Sequence, residues 1–419
     1  MSISKKGTAE IISIGDELLI GQVINTNASW MAEQLSLHGI FLNRITEIGD
    51  NLQEIHQMLD EAVRRSEFIL ITGGLGPTAD DLTKPALCSY FKSDMVFNEE
   101  AFAQIESLFN ARGLTVSKRN HEQAFLPRNC IPVKNKNGTA PGMWFIHEGS
   151  YIAAMPGVPF EMQPMFSEQI IPKIKRLIKN KIYLHKTIMT TGIGESWLAD
   201  RIKLWEKKLP SNIHLAYLPR PGIVRLRLSA EGTDEQSLAD QINHHIRLLE
   251  QQIPELIYGY DDITLEEVIG SLLTRQNKTL GTAESCTGGS IASLITSIAG
   301  SSKYFTGTIV AYNNTIKQNL LKVGEEIIQK HGAVSQEVVE SMALNAKKLL
   351  QVDYALATSG IAGPDGGTAE KPVGTVWIAL AGPNGVISEK HQFGEHRGRN
   401  IHRSALAALN LLRNELISR

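Results

Sequence analysis

The segment Thr279-Leu-Gly-Thr-Ala-Glu-Ser-Cys-Thr-Gly-Gly-Ser-Ile-Ala-Ser-Leu-Ile-Thr-Ser-Ile-Ala-Gly300 stops a short apolar run at a polar, glycine-bearing turn and then resumes with apolar residues at helical spacing. That pattern reads as a strand, a tight turn and a helix start. Ser285, Thr287, Gly288 and Gly289 fall in the turn, so hydroxyls and backbone N–H groups converge at the positive end of a helix dipole. Such a place suits a phosphate, an oxyanion or both. A serine held there also has the setting of a nucleophile elbow, although Glu284-Ser285-Cys286-Thr287-Gly288 departs from G-x-S-x-G. Two readings follow: Ser285 as a nucleophile, or Ser285 or Thr287 as the cap of the next helix.

A second glycine loop, Ser359-Gly-Ile-Ala-Gly-Pro-Asp-Gly-Gly367, follows the strand-like Asp353 to Thr358 and faces the first if their strands are neighbours. Lys317, Lys371 and Arg397 are the cations available for a phosphate. A serine nucleophile needs a base, and His331, His391, His396 and His402 lie outside both turns, so a lysine or tyrosine must take the proton. In the N-terminal part, Gly15-Asp16-Glu17 and Thr72-Gly-Gly-Leu-Gly-Pro-Thr-Ala-Asp-Asp-Leu-Thr83 also follow strand-like runs. Gly73, Gly74 and Gly76 permit close backbone approach and Thr78 adds a hydroxyl. Asp80 and Asp81 add hard oxygen ligands for magnesium or manganese, or one of them caps the helix that follows.

Alternating strands and helices position these loops: strands at 9–15, 41–48 and 67–73, with helices at 27–38 and 52–65 between them. Right-handed crossovers make this a doubly wound, mostly parallel α/β sheet, with ligands beyond the C-terminal strand ends. A small α+β middle module follows, with a strand at 186–191, a hairpin at 213–228 and a helix at 234–252. Its Thr191-Gly-Ile-Gly-Glu195 has one glycine too few for a dinucleotide fingerprint. Arg220, Arg225 and Arg227 read as a solvated strand face. A second α/β pattern fills the C-terminal third, so the expected domains are 1–170, 171–258 and 259–419.

Lys plus Arg (42) nearly balance Asp plus Glu (44), a formal charge of -2 that gives no broad basic footprint for nucleic acid. Three unrelated cysteines make neither a disulfide framework nor a zinc site. The first residues lack an apolar signal core, and no apolar run reaches membrane-spanning length. A cytoplasmic protein without membrane or nucleic-acid partners is the expectation.

Ala283-Glu-Ser-Cys-Thr-Gly-Gly289, Ala311-Tyr-Asn-Asn314 with Lys317, His331-Gly-Ala-Val-Ser335, and Ser359 to Gly367 with Lys371-Pro-Val-Gly-Thr375 resemble the C-terminal domain of the CinA competence/damage-inducible family. Gly15-Asp-Glu17, Thr72 to Asp81 and Pro156-Gly-Val-Pro-Phe-Glu-Met162 are similar to its N-terminal domain, which shares the molybdopterin-binding fold. The resemblance implies deamidation of nicotinamide mononucleotide to nicotinic acid mononucleotide and ammonia, in pyridine nucleotide salvage, with no cofactor in the C-terminal domain. It implies divalent-metal-dependent ADP-ribose pyrophosphatase activity in the N-terminal domain, and a homo-oligomer, a dimer, is the expected assembly. Carried onto this chain, Ser285 is the nucleophile, with Lys317 as base and Tyr312 as second choice; Cys286 is the rival nucleophile. Thr287, Gly288 and Gly289 supply donors, Gly363, Gly366 and Gly367 line the opposite wall, and Arg397 clamps the phosphate or merely caps its helix. In the N-terminal cleft Gly73, Gly74, Gly76 and Thr78 cradle the substrate and Asp80, Asp81 and Glu17 hold the metal. The rival reading is a non-catalytic nucleotide- or pterin-binding protein of the competence or DNA-damage response.

Overall fold

The computed structural model describes residues 7–78, 80–178 and 182–418, so the N-terminal hexapeptide, Ala79 in the glycine loop and Lys179 in the basic stretch lie outside the described residues. All seven residues of the strand Thr8–Ile14 and all five of Phe68–Thr72 are buried, as expected of strands covered on both faces. They sit side by side at the centre of a six-stranded sheet in the order Phe41–Ile48, Thr8–Ile14, Phe68–Thr72, Ser150–Met155, Gly142–His147, Ile131–Val133. The first four are parallel and the last two join antiparallel, which gives the expected mostly parallel, doubly wound α/β sheet.

The two-residue period of a strand divides its side chains between two cores. Ala9, Ile11, Phe68 and Leu70 pack with Met31 and Leu35 of the helix Thr26–Leu37. Ile12, Ile14, Ile69 and Ile71 pack with Ile55 and Leu59 of the helix Leu52–Arg65 on the other face.

The chain divides into two compact units, the second formed by His185–Ala230 and Gln236–Arg419. The middle module builds a four-stranded sheet in the order Ile213–Arg220, Ile223–Gly232, Ile182–Thr191, Ile257–Tyr260. The last of these, read from sequence only as a boundary, is an edge strand antiparallel to Ile182–Thr191. Arg225 and Arg227 are not a solvated face: the Arg225 side chain is 14% exposed and pairs with Asp262 at 2.9 Å, and Nε of both is buried.

The C-terminal sheet runs Phe305–Val310, Leu280–Glu284, Tyr354–Gly360, Thr375–Gly382, Gly385–Gln392, the first three parallel and the rest antiparallel. The helix Gln336–Leu350 covers one face through Val338, Val339 and Met342. The helices Leu265–Arg275 and Arg397–Ile417 cover the other through Leu265, Ile269, Leu409 and Leu412. Arg413, 1% exposed, donates from Nη1 to Ile257 O at 2.7 Å and from Nη2 to Glu255 O, which ties this domain to the middle module within the unit. Among the described residues no helix is long and apolar enough to cross a membrane.

Candidate active site

Leu280–Glu284 lies between the parallel strands Phe305–Val310 and Tyr354–Gly360, so their C-terminal ends deliver three segments to one edge. These are the turn at Ser285, the segment Ala311 to Lys317 and the loop from Ser359. The Ser285 N–H continues the ladder to Thr358 O at 3.0 Å and the Ala311 N–H donates to Glu284 O at 2.8 Å, which fixes the edge.

The cap of the next helix is supplied by neither Ser285 nor Thr287. The fully buried Glu284 carboxylate accepts the N–H groups of Gly289 (2.9 Å), Ile291 (3.1 Å) and Ala292 (2.9 Å), with the Thr282 hydroxyl donating at 3.3 Å. An anion here answers the orphan N–H groups and the dipole of the helix Ser290–Thr296 together. Capping therefore leaves the Ser285 hydroxyl available for chemistry.

That arrangement corrects the expected donors. The Gly289 N–H is used by Glu284, the Gly288 N–H donates to Ser285 O at 3.2 Å, and the Thr287 hydroxyl bonds the Thr358 hydroxyl at 2.7 Å. Gly288 and Gly289 shape the turn instead, at φ +59 and +99 where a side chain would be strained. The backbone N–H groups of Cys286 and Thr287 have no backbone acceptor among the described residues, and that of Cys286 stands where an elbow places an oxyanion donor.

Lys317 is 2% exposed, and its Nζ donates to Ser285 Oγ at 3.0 Å, to Ala311 O at 2.8 Å and to Tyr312 O at 3.4 Å. Burial lowers its pKa from the ordinary lysine value. In the neutral amine two N–H groups satisfy the two carbonyls and the lone pair is left for the serine proton. Tyr312 is 61% exposed and its hydroxyl accepts from Arg397 Nη2 at 3.0 Å, with no hydrogen bond to Ser285. Cys286 is buried, and that burial pushes its thiol up to about 12, so it stays protonated near neutral pH.

These groups open on a pocket of about 190 Å³ lined by Ser285, Cys286, Tyr312, Asn314, Lys317, Ala333, Val334, Ser359, Gly360, Ala362 and Arg397. The opposite wall is thus Ser359, Gly360 and Ala362 rather than Gly363, Gly366 and Gly367. Gly363 serves from behind, its carbonyl accepting from Arg397 Nη1 at 2.8 Å, and a Cβ on Gly367 would meet Val373 N at 2.8 Å. Gly366 turns the loop at φ +90 outside the lining. Arg397 does enter the pocket, while His396 caps its helix by accepting from the Arg399 N–H at 3.3 Å. Lys371 does not; its Nζ donates to His331 O at 2.7 Å. Asn314 and Val334 were missed as lining residues, although both lie within quoted runs, Ala311 to Asn314 and His331 to Ser335.

In the N-terminal unit the parallel strand ends bring Gly15 to Glu17, the Thr72 to Thr83 loop and Pro156-Gly157 together. Asn27 Nδ2 donates to Gly157 O at 2.6 Å and Thr72 Oγ1 to Pro156 O at 3.0 Å. Gly73 and Gly74 have φ +108 and +62, and added Cβ atoms would lie 2.0 Å from Ile14 O and 2.2 Å from Thr83 Oγ1. Asp81 caps no helix; its carboxylate accepts the Gly76 N–H at 2.8 Å and the N–H and hydroxyl of Thr78, folding the loop on itself. Asp80 is exposed, and Glu17 folds back over Gly15.

Glu17, Asp80 and Asp81 therefore do not form a metal-ligand set, and among the described residues no group of three His, Cys, Asp or Glu side chains does. The residue missed is Asp50, next after Gly49 at the end of the strand Phe41–Ile48. Asp50 and Asp16 exchange backbone-to-carboxylate hydrogen bonds at 3.2 and 3.3 Å. Burial first, then the charges of Asp16, Glu17 and Asp81, hold the Asp50 carboxyl above its usual value, although the Asp16 N–H bond opposes them.

Three family models match in series: a probable molybdopterin binding domain at 10–176, the damage-inducible protein CinA KH domain at 185–259 and the CinA C-terminal domain at 262–416. A CinA-like protein of Cytophaga hutchinsonii is 46% identical over 97% of this chain and 98% of its own length. Another, from Flavobacterium psychrophilum, is 44% identical over 98% of each. The crystal structure of a competence/damage inducible protein from Agrobacterium tumefaciens is 39% identical, covering 36% of this chain and 92% of that one, with a TM-score of 0.35. With identity at that level sustained along the whole length of its relatives, the chain belongs to the CinA family.

Proposed function

We propose that the C-terminal domain hydrolyses the carboxamide of nicotinamide mononucleotide, releasing ammonia and nicotinic acid mononucleotide. The observation that carries this reading is the buried Lys317 Nζ, 3.0 Å from Ser285 Oγ and anchored on two carbonyls. Ser285 Oγ attacks the carboxamide carbon while neutral Lys317 takes its proton. The negative oxygen of the tetrahedral intermediate is met by the Cys286 N–H. As the C–N bond breaks, Lys317 returns the proton to the leaving nitrogen, and ammonia departs from an ester on Ser285. Water then attacks that ester with Lys317 again as base, which restores the serine and yields the carboxylate. Arg397, fixed by Gly363 O, is the cation for the substrate phosphate.

For the N-terminal domain the reading is binding and hydrolysis of the ADP-ribose diphosphate at the Thr72 to Thr83 loop, supported by the glycine loop at the parallel strand ends. The test is ammonia release from nicotinamide mononucleotide by the purified protein and by Ser285→Ala, with ADP-ribose turnover followed with and without EDTA. Ammonia release that vanishes in Ser285→Ala and survives EDTA supports the amidase. Tight nucleotide binding with no turnover in either assay would establish the non-catalytic binding protein instead.

A further inference from the structure

The glycine turn Thr191 to Glu195 and the arginine at the hairpin tip, Arg220, have no part in the Ser285 pocket. Both line a separate cleft of about 780 Å³, whose other wall is Phe393, Arg399, Arg403 and Leu406 of the C-terminal domain. The cleft lies wholly within the second compact unit, and its volume is in the range of small-molecule sites. Arg397 and Arg399, two residues apart on the first turn of one helix, line different cavities, so the cleft and the Ser285 pocket are distinct.

The walls are held in place by polar and apolar contacts. Thr191 Oγ1 donates to Gly222 O at 2.9 Å, and Gly222 packs so closely that an added Cβ would lie 2.9 Å from Leu406 Cδ1. Beneath them Arg413 ties the C-terminal helix to Ile257 O. A preformed cleft loses little ordering entropy when a ligand enters.

Its charges are unequally used. Glu255 pairs with Arg201 at 2.6 Å and Glu389 with His391 at 3.1 Å, leaving Glu195 as the remaining acid. None of Arg220, Arg399 and Arg403 makes an ion pair with a carboxylate among the described residues. Arg403 is held by its face, its Cζ 4.8 Å from the Phe393 ring centroid, with His391 stacked on Phe393 at 5.4 Å and 7°. Held that way, a guanidinium keeps its N–H edge for an oxyanion. The 12-residue helix Glu195–Glu206 starts beside it at Gly194, which has no side chain to cap the first-turn N–H groups. Ile223, Leu256 and Leu406 supply an apolar surface in the same cleft.

Cations that converge beside an uncapped helix start and an apolar wall match a ligand with phosphates at one end and a flat ring at the other. We propose that this cleft is a second ligand site, for a nucleoside diphosphate, its phosphates on Arg220, Arg399 and Arg403 and its base against Ile223, Leu256 and Leu406.

The test is equilibrium binding of ADP to the full-length protein, compared with Arg220→Ala, Arg403→Ala, Ser285→Ala and Gly73→Ala, with inorganic phosphate and a series of single-stranded oligonucleotides as parallel probes. A saturable ADP site, distinct from the N-terminal glycine loop, is expected that weakens about tenfold in each arginine variant and is unchanged in Ser285→Ala and in Gly73→Ala. Ammonia release and the melting curve report whether each arginine variant is folded, the melting curve alone does so for Ser285→Ala, and Arg403→Lys, which keeps the charge but loses the fork, replaces Arg403→Ala if that variant melts early. ADP binding that is identical in the folded arginine variants overturns the proposal. So does phosphate binding as tightly as ADP, which would mean an anion spot with no base recognition, and so does affinity that grows with oligonucleotide length, which would make the cleft a nucleic-acid groove.

Discussion

At the scale of single residues, the chemistry rests on where one proton sits. Lys317 must be neutral to accept from Ser285, and burial lowers its pKa, so the rate at saturating substrate should rise with pH as Lys317 loses its proton. The midpoint of that rise should lie below the ordinary lysine value, and a pH profile of kcat locates it. Lys317→Arg keeps a cation that does not deprotonate, so kcat should fall on the order of 10²–10⁴-fold, the usual share of a general base. A comparable kcat in Lys317→Arg would pass the base role to Tyr312. Cys286→Ser leaves the backbone N–H in place and should retain most activity; a loss as deep as that of Ser285→Ala would make the thiol the nucleophile after all. That Ser285 reacts while its neighbour stays inert follows from environment, since the serine touches an amine while burial keeps the thiol protonated.

At the scale of elements, the turn at Ser285 is held by a side chain belonging to the strand before it. Glu284 gathers three N–H groups of the following helix, so Glu284→Ala removes their acceptor from a fully buried place. A loss of about 3 kcal/mol is expected on denaturant unfolding of the C-terminal domain, together with a fall in kcat as the Ser285 to Lys317 geometry loosens. An unchanged midpoint would show that water replaces the carboxylate at little cost. The corresponding feature of the N-terminal sheet is a close approach: Gly73 sits at φ +108 against Ile14 O. Gly73→Ala should destabilise by roughly 1–3 kcal/mol through backbone strain and should weaken ADP-ribose turnover more than ammonia release. Equal loss of both activities would mean that the two loops are not independent.

At the scale of the whole molecule, the middle module and the C-terminal domain are packed as one unit through Arg413 and the Gly222 to Leu406 approach. Calorimetry of the intact chain should therefore show two transitions rather than three. Arg413→Ala strands the Ile257 and Glu255 carbonyls and should lower only the transition of the second unit, by about 3 kcal/mol. A shift of both transitions would indicate a single cooperative molecule. EDTA should leave ammonia release unchanged, because the Ser285 pocket is built from an amine, hydroxyls, an arginine and backbone groups.

The sequence alone determined the main alternation of strands and helices, because apolar period and glycine turns are local signals: the strands around 9–15, 67–73 and 280–284 and the loops at Gly73 and Ser285 lie where those signals put them, while the short edge strand Ile257–Tyr260 was legible only as a boundary. It also identified Ser285, Lys317, Tyr312 and Arg397, which the structure does gather in one pocket. Only the tertiary structure decided which donors face that pocket. Glu284 claims the Gly289 N–H, Thr358 claims the Thr287 hydroxyl, and Asp81 is consumed within its own loop, and each of these bonds depends on where neighbouring segments come to rest. Partners distant along the chain, such as Leu406 beside Gly222, leave no mark at either position. Local periodicity fixes elements, while the competition of all buried polar groups for partners fixes which of them remain available for chemistry.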